Sequence, residues 1–225
     1  MVGGAKSAVP ASSPAAAGGR KTRIAVLVSG GGTNLQALID AQGNVITDGE
    51  IVLVIANNSK AYALERAARA DIDSAVILKK ELGSQEAFEA AIIGKLEEYH
   101  VDFLILAGFM TILSAKFTRK YEKRIINVHP SLIPKFCGEG FYGLKVHEAV
   151  LAAGEPVTGA TVHFVNEIPD GGEIILQKEV AVQPGDTPEV LQTRVMEQAE
   201  WIILPRAAQM LSEKLRKERA ENERI

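Results

Sequence analysis

The chain of 225 residues contains a single cysteine, Cys137, so no disulfide can form within it. This composition is typical of a reducing compartment, and we expect the protein in the cytoplasm. No stretch reaches the roughly 18–20 uninterrupted apolar residues that a membrane-spanning helix needs. No cluster of histidine, cysteine and acidic residues has the spacing of metal ligands. We therefore expect no membrane partner and no bound metal.

Basic residues are also in the minority, since the net charge is −3. Residues 1–23 hold four basic residues and no acidic one, so the rest of the chain is more acidic still. An acidic body argues against nucleic acid as the main partner. It remains compatible with a local basic pocket for a phosphate, and we expect small molecules as the partners.

Residues 1–22 consist mainly of Ala, Ser, Gly and Pro without a periodic pattern, which predicts a disordered leader. The segment is basic, contains serine and lacks acidic residues, as organelle transit peptides do. A cloning remnant or a natural tail fits the same composition. An organelle location therefore depends on whether these residues are a transit peptide.

Apolar, strand-like segments alternate with helical patterns from Arg23 onward. Strands are predicted at residues 23–29, 51–57, 74–78, 102–107 and 124–128, and helices at 33–43, 61–70 and 84–99. Apolar strands separated by helices predict an α/β fold with a doubly wound, mostly parallel sheet and helices on both faces.

The C-terminal third has a different pattern. Two β-rich runs at residues 158–166 and 173–182 predict an antiparallel hairpin. Pro188, preceded by Asp and Thr, predicts the start of a long C-terminal helix, which we expect to run to about Leu215 and to bend near Pro205. We therefore expect a single domain at residues 23–215 and a charged tail at residues 216–225.

Residues 127–134 read Asn-Val-His-Pro-Ser-Leu-Ile-Pro and follow the fifth predicted strand. The side chains of Asn127 and His129 share one face, because they are two residues apart in an extended segment. A donor amide beside a titratable ring suits the stabilisation of a carbonyl oxygen that becomes negative. Taken alone, the pair also fits a polar cap on a strand end.

A glycine-rich turn at residues 29–35, Ser-Gly-Gly-Gly-Thr-Asn-Leu, joins the first strand to the first helix. Glycines allow backbone amides to approach a ligand, and a helix N-terminus attracts anions. The pattern is neither Gly-x-Gly-x-x-Gly nor a Walker loop. It favours a small phosphorylated metabolite over a dinucleotide or a nucleoside triphosphate; the alternative is a turn that binds nothing.

Asp170 lies in a Pro-Asp-Gly-Gly loop and is the third candidate for catalysis. Carboxylates in such loops usually form turns. Beside a catalytic imidazole, an ionised Asp170 would raise the pKa of His129 and could orient or activate water for proton transfer. We interpret His163 as a packed strand residue rather than a second base, and we assign no role to His147.

Four motifs occur in order, at residues 29–36, 106–110, 127–134 and 159–165 with 170–172. With them, residues 23–210 closely resemble the phosphoribosylglycinamide formyltransferase family of purine synthesis. The resemblance implies that a formyl group moves from the co-substrate 10-formyltetrahydrofolate to the amine of phosphoribosylglycinamide. It implies no metal, and the protein is expected to be a monomer or a homodimer.

The resemblance also implies roles for individual residues. Asn127, His129 and Asp170 would be catalytic. The phosphorylated substrate would be bound by Gly32, Thr33 and Asn34, with Glu200, or else Glu197, on its glycinamide. The folate would be bound by Met110, Thr111, Ile112, Leu113, Asn127, Asn166, Glu167 and Asp170. Gln85 and Thr111 depart from the family pattern, since many relatives carry arginine at both positions.

Three other functions share parts of this pattern. A methionyl-tRNA formyltransferase would need a C-terminal nucleic-acid-binding domain and a basic surface. A formyltetrahydrofolate deformylase, which hydrolyses its substrate, usually carries an N-terminal regulatory domain. A phosphate-binding module on the same sheet would bind its ligand without turnover.

Overall fold

The computed structural model describes residues 19–223 and contains one sheet of seven strands. The strands are β1 (Thr22–Val28), β2 (Gly49–Ala56), β3 (Ser74–Val76), β4 (Phe103–Leu106), β5 (Ile125–His129), β6 (Val157–Phe164) and β7 (Ile174–Ala181). Their order is β3-β2-β1-β4-β5-β6-β7. Pairing is parallel from β3 to β5, and β6 is antiparallel to both β5 and β7. The predicted sheet and C-terminal hairpin are confirmed.

Eight α-helices connect or follow the strands. They are α1 (Thr33–Ala41), α2 (Ala63–Arg69), α3 (Lys79–Leu82), α4 (Gln85–Glu98), α5 (Ala115–Lys120), α6 (Leu144–Ala152), α7 (Pro188–Val195) and α8 (Trp201–Asn222). The Ser84 hydroxyl caps α4 by accepting the Ala87 N–H, and the Thr187 hydroxyl caps α7 ahead of Pro188, where a helix was predicted to start. Helices α3, α5 and α6 lie in segments to which no helix was assigned.

Both faces of the sheet are covered by helices. Val26 belongs to an apolar cluster with Leu38 of α1 and Leu204 of α8. The next residue, Leu27, belongs to a second cluster with Phe88 of α4. Successive side chains of a strand point to opposite faces, so strands buried on both sides are apolar throughout. This explains why β1 lacks alternating polarity.

The C-terminal helix differs from the prediction in two ways. We predicted a charged tail after Leu215, but α8 continues to Asn222. Its arginines reach back to the sheet: Arg216 pairs with Asp48, and Arg219 Nη2 lies 3.0 Å from Asp102 Oδ1. The charges after Leu215 therefore hold this helix against the domain.

The second difference concerns the predicted bend at Pro205. That residue lies inside α8, and the irregularity is a π-helix at Met196–Glu200, between α7 and α8. A π-helix accommodates one extra residue per turn. It joins α7 and α8 into one nearly continuous helical segment.

The beginning of the domain also lies earlier than predicted. Residues 1–18 of the predicted leader fall outside the described residues. Arg20 forms hydrogen bonds of 2.8 and 3.0 Å to the carboxylate of Asp102, and β1 begins at Thr22. The end of the predicted leader is thus attached to the sheet. Within residues 19–223, no helix is long and apolar enough to cross a membrane.

Candidate active site

A cavity of about 840 Å³ opens at the carboxyl edge of the central strands. Ligand sites of open α/β sheets form at this edge, where loops from neighbouring strands meet. Its walls come from the start of α1, the segment after β4, the end of β5, the loop after β6 and the π-helix. Among the lining residues are Asn34, Met110, Asn127, His129, Asp170 and Glu200.

The end of β5 brings the predicted catalytic residues together. His129 is only 4% exposed; its Nε2 lies 2.8 Å from the carbonyl oxygen of Phe136, and its Nδ1 lies 3.4 Å from Asp170 Oδ2. The amide nitrogen of Asn127 lies 3.5 Å from Asp170 Oδ1. The structure therefore places the amide, the imidazole and the carboxylate around one point of the cavity.

His163 joins this group, although the sequence indicated only a packed strand residue. It lies directly opposite Asn127 in the β5–β6 ladder. Its Nδ1 is 2.8 Å from the Phe164 carbonyl oxygen, and its Nε2 is 3.2 Å from the Asn127 amide nitrogen and 3.4 Å from Asp170 Oδ1. His163 thus holds Asn127 and Asp170 in place from the buried side. The antiparallel pairing of β5 with β6, which sets His163 opposite Asn127, was the signal that could have revealed this role of His163.

The protonation of His129 differs from the expectation. We expected Asp170 to raise the pKa of the ring, but burial lowers the pKa of His129 below its usual value. The negative charge of Asp170 and the Phe136 carbonyl act in the opposite direction without overcoming burial. Burial thus disfavours the charged ring, while the oxygens beside Nε2 and Nδ1 favour it.

Asp170 is positioned by an unusual backbone conformation. Its φ is +54°, in the left-handed region that Asp tolerates better than most residues. Gly172 permits the loop to fold back, since a Cβ there would lie 1.7 Å from the Phe164 carbonyl oxygen. Burial alone would raise the pKa of Asp170. The hydrogen bond with His163, the charge of His129 and the Gly138 N–H together lower that pKa, so the carboxylate is ionised.

The glycine turn provides an open helix end. Gly32 precedes α1 with φ +71° and no side-chain cap, and a Cβ at Gly32 would lie 2.7 Å from Ala63 Cβ. The first backbone amides of an uncapped helix lack partners within it, which favours an anion. Asn34 lines the cavity, whereas Thr33 lines a different one and its hydroxyl contacts Met196, which lines the first.

The two glutamate candidates are clearly separated. Glu200 lines the cavity, is 6% exposed and accepts a 2.7 Å hydrogen bond from the amide of Asn34. Burial raises the pKa of Glu200 to about 7, against the effect of Asn34. Glu197 is exposed and does not line the cavity. The structure thus brings Glu200 to the predicted site and leaves Glu197 outside it.

Only part of the predicted folate-binding set faces the cavity. Met110 (57% exposed) and Ile112 (72% exposed) line it together with Thr111, which accepts a 2.8 Å hydrogen bond from Asn57. Leu113 packs into the core with α4 and α5 instead, because the chain has turned inward toward α5. The cavity therefore has an exposed apolar rim at residues 110–112.

Asn166 and Glu167 also point away from the cavity. The Asn166 side chain bonds to the backbone of Ile168 and Gly171, and Glu167 pairs with Arg119 at 3.2 Å. Their side chains stabilise the loop that carries Asp170, and the cavity is lined by Pro169 and Asp170. Any contact from residues 166 and 167 to a ligand would need their backbone.

The loop at residues 138–143 and the start of α6 form a wall that the sequence did not predict. The Gly138 N–H donates a 2.9 Å hydrogen bond to Asp170 Oδ2. His147 also lines the cavity; it is fully buried, and burial lowers its pKa to about 4. Within residues 19–223, no group of three His, Cys, Asp or Glu side chains is arranged to hold a metal ion.

Comparisons with known proteins agree with this geometry. Residues 22–208 match the model of the formyl transferase family. Phosphoribosylglycinamide formyltransferase of Haemophilus influenzae is 43% identical over 183 residues, which are 81% of this chain and 84% of that protein. The crystal structure of glycinamide ribonucleotide transformylase 1 from Symbiobacterium toebii superposes with a TM-score of 0.81 at 38% identity, covering 88% of this chain and 94% of that one.

A longer relative matches over a similar stretch. The trifunctional purine biosynthetic protein adenosine-3 of Gallus gallus is 46% identical over 192 residues, which are 85% of this chain and 18% of that protein. The chain thus spans less than a fifth of this relative. The match to the family model at residues 22–208 nevertheless includes all seven strands and the residues that line the cavity. The chain therefore belongs to the phosphoribosylglycinamide formyltransferase family.

Proposed function

We propose that this protein transfers a formyl group from 10-formyltetrahydrofolate to the amine of phosphoribosylglycinamide, a step of purine synthesis. The observation that carries the proposal is the convergence of Asn127, His129 and Asp170 in one cavity, between an open helix end and an exposed apolar rim. A binding module would have no need of an amide, an imidazole and a carboxylate at one point. The names and the coverage of the relatives support the same reaction.

The cavity divides between the two substrates. The phosphate of the acceptor would lie at the start of α1, at the amides of Gly32, Thr33 and Asn34, with Glu200 facing the rest of the acceptor. The folate would lie along residues 110–112 and Pro169, where apolar surface is exposed. The reacting groups would then meet beside His129.

The proposed reaction begins when the amine nitrogen attacks the formyl carbon. The formyl oxygen takes the negative charge of the tetrahedral adduct, and the Asn127 amide donates a hydrogen bond to it. The His129 ring donates a second one after its Nε2–H exchanges the Phe136 carbonyl for the formyl oxygen. The proton lost by the amine is relayed through Asp170 and reaches the folate nitrogen as the carbon–nitrogen bond to folate breaks. The formyl group ends on the acceptor, and no net proton is consumed.

The low pKa of His129 is compatible with this role. A negative oxygen that develops beside the ring favours its charged form. The ring can therefore hold the proton lost by the amine while the adduct exists. Asp170 then passes this same proton to the folate nitrogen, so no further proton is needed.

The test is an assay with glycinamide ribonucleotide and a 10-formylfolate analogue, in which absorbance reports loss of the formyl group. We expect transfer that depends on the acceptor, and a fall of about 10²–10³-fold in turnover for His129→Ala. Binding of the phosphorylated acceptor to this variant should stay within a few-fold of wild type. Formyl loss at the same rate without acceptor would identify a hydrolase and contradict the proposal.

We further propose a cytoplasmic monomer or homodimer that uses small-molecule substrates without a metal. The lone, half-buried Cys137 supports a reducing compartment. The acidic composition supports the absence of a nucleic-acid partner. Light scattering on the purified chain would decide between monomer and dimer.

A further inference from the structure

A second cavity, of about 500 Å³, lies between α1 and the first turns of α8. None of the residues that line it lines the catalytic cavity. Much of its wall is apolar and is formed by Ala37, Ala41, Val45, Trp201, Ile202 and Pro205. Cavities of roughly 300–1,000 Å³ with apolar walls and a few polar groups are typical of small-molecule sites.

The polar groups of this cavity are mainly hydrogen-bond donors and cations. Arg206 is exposed, and no ion pair or hydrogen bond engages it within residues 19–223. Arg66 and Asp40 also line the cavity, but the Arg66 guanidinium already donates hydrogen bonds to the Gly31 carbonyl and to Gln36, and Asp40 accepts one from Gln36. Arg206 is therefore the cation of this cavity that a ligand can pair with, and the ring of Trp201 forms part of the apolar wall. A complementary ligand would supply an anionic group and a flat apolar body.

The cavity adjoins the predicted acceptor site on two sides. Arg66 Nε donates a 2.8 Å hydrogen bond to the carbonyl of Gly31, in the glycine turn. Thr33, the first residue of α1, lines the cavity. Trp201 directly follows Glu200, whose carboxyl accepts the hydrogen bond of Asn34. A molecule in this cavity would therefore contact Arg66, Thr33 and Trp201. Each of these is hydrogen-bonded to, adjacent in the chain to, or part of the predicted acceptor site.

We propose that this cavity is a regulatory site for a small aromatic anion, whose binding weakens that of the phosphorylated acceptor. The anionic group pairs with Arg206 and draws the Arg66 guanidinium away from Gly31, while the ring packs against Trp201 and Pro205. The glycine turn then loses one of its hydrogen bonds to the α2 side, and the bond from the Ala63 N–H to the Gly30 carbonyl remains. The effect on the acceptor rests on the proposed function, whereas the binding of the anion does not.

The binding can be measured directly, because Trp201 is the only tryptophan in the chain. The probe is 1-anilinonaphthalene-8-sulfonate, titrated into the full chain with saturating glycinamide ribonucleotide so that the acceptor site is filled. We expect quenching of Trp201 emission with a stoichiometry of one. The Kd should rise at least about tenfold in Arg206→Ala, which removes the cation, and in Ala37→Phe, which fills the cavity. The variant His129→Ala should bind the probe like wild type.

The kinetic arm measures the acceptor KM with and without the probe. We expect the KM to rise at least about threefold at unchanged kcat in wild type, and to stay constant in Arg206→Ala. Probe binding that is unchanged in both cavity variants would overturn the site. So would an acceptor KM that rises without limit as the probe concentration increases, because two separate sites give a KM that reaches a plateau. Binding without an effect on KM would overturn the regulatory role. A wild type that binds the probe but transfers no formyl group would refute the proposed function and leave the site intact.

Discussion

Asp170 is the residue that organises the proposed catalytic group. Its two carboxylate oxygens face His129, His163 and the Gly138 N–H, so it joins β5, β6 and the 138–143 loop at one place. The carboxylate also opposes the effect of burial on the His129 ring. Its removal should therefore disturb both the charge and the geometry of the site.

The variant Asp170→Asn tests this organisation. The amide has the shape of the carboxyl group but no charge, so the pKa of His129 should fall further below its usual value. We expect turnover to drop about 10²–10⁴-fold, the range for lost proton-transfer groups. Assays of formyl transfer and NMR titration of the His129 ring would measure both effects. An unchanged His129 pKa would show that Asp170 does not act on the ring.

Glu200 gives a prediction about stability and pH. Its pKa is about 7 in the folded protein against an ordinary value of 4.5 for glutamate. Its stabilising contribution is therefore complete below about pH 4.5 and is lost as the pH rises through 7. The variant Glu200→Gln removes this loss and keeps an acceptor for the Asn34 amide. When the pH rises from 5 to 8, the free energy of unfolding of the variant should increase by on the order of 1–3 kcal/mol relative to that of wild type.

Urea unfolding at pH 5 and pH 8 measures this difference. The matched control is Glu197→Gln, which removes the same charge from an exposed position one helical turn away. It should leave the pH dependence of wild-type stability unchanged. A Glu200→Gln variant whose relative stability is the same at both pH values would contradict the buried, partly protonated carboxyl.

At the scale of elements, the central strands could be predicted from the sequence, because each is an apolar run that is recognisable without its neighbours. The strands predicted at residues 23–29 and 51–57 contain the continuously apolar runs 24–28 and 51–56, and β1 and β2 form there within one or two residues. The hairpin was visible from its two β-rich runs. Helix α5 was not predicted, because only six residues form it between longer elements.

Only part of the candidate site could be predicted from the sequence, because local patterns place only residues that are close together in the chain. Asn127 and His129 are two residues apart, so the strand alone places them together. His163 reaches Asn127 only through the antiparallel register of β5 and β6. Glu200 was ambiguous with Glu197 until the π-helix set which of them faces the cavity. Contacts that depend on how distant elements pair have no local signature.

The hairpin loop that carries Asp170 gives the prediction at this scale. A methyl group at Gly172 would lie 1.7 Å from the Phe164 carbonyl oxygen, so Gly172→Ala must displace the loop. We expect activity to fall at least about tenfold, because small displacements of catalytic groups are costly. The control is Gly94→Ala in α4, where no neighbouring atom lies within 4 Å. It should gain about 0.5–1 kcal/mol of stability at full activity. Equal activity in both variants would contradict the need for glycine at position 172.

For the molecule as a whole, Asp102 ties the two ends of the described chain together. Its carboxylate binds Arg20 before β1, the backbone N–H of Arg23 and Arg219 near the end of α8. This group lies at the start of β4, on the edge of the sheet opposite the catalytic cavity. The catalytic edge and the stabilising edge are thus separated by the length of the strands.

This separation leads to a prediction for a truncated protein that ends at Leu215. It loses the last turns of α8 with the Arg216–Asp48 and Arg219–Asp102 pairs. Charged hydrogen bonds on a partly exposed surface are weak individually, so we expect a loss of about 1–3 kcal/mol, or roughly 2–4 °C in Tm for each kcal/mol in a domain of this size. Because the cavity lies at the other edge, kcat and KM should match those of wild type at 25 °C.

The double variant Arg216→Ala and Arg219→Ala, which keeps the full length, should reproduce most of the Tm change. A truncated protein with the Tm of wild type would support the predicted charged tail at residues 216–225 over a stabilising role for this segment. A large loss of kcat in a folded truncated protein would show that the two edges of the sheet are coupled.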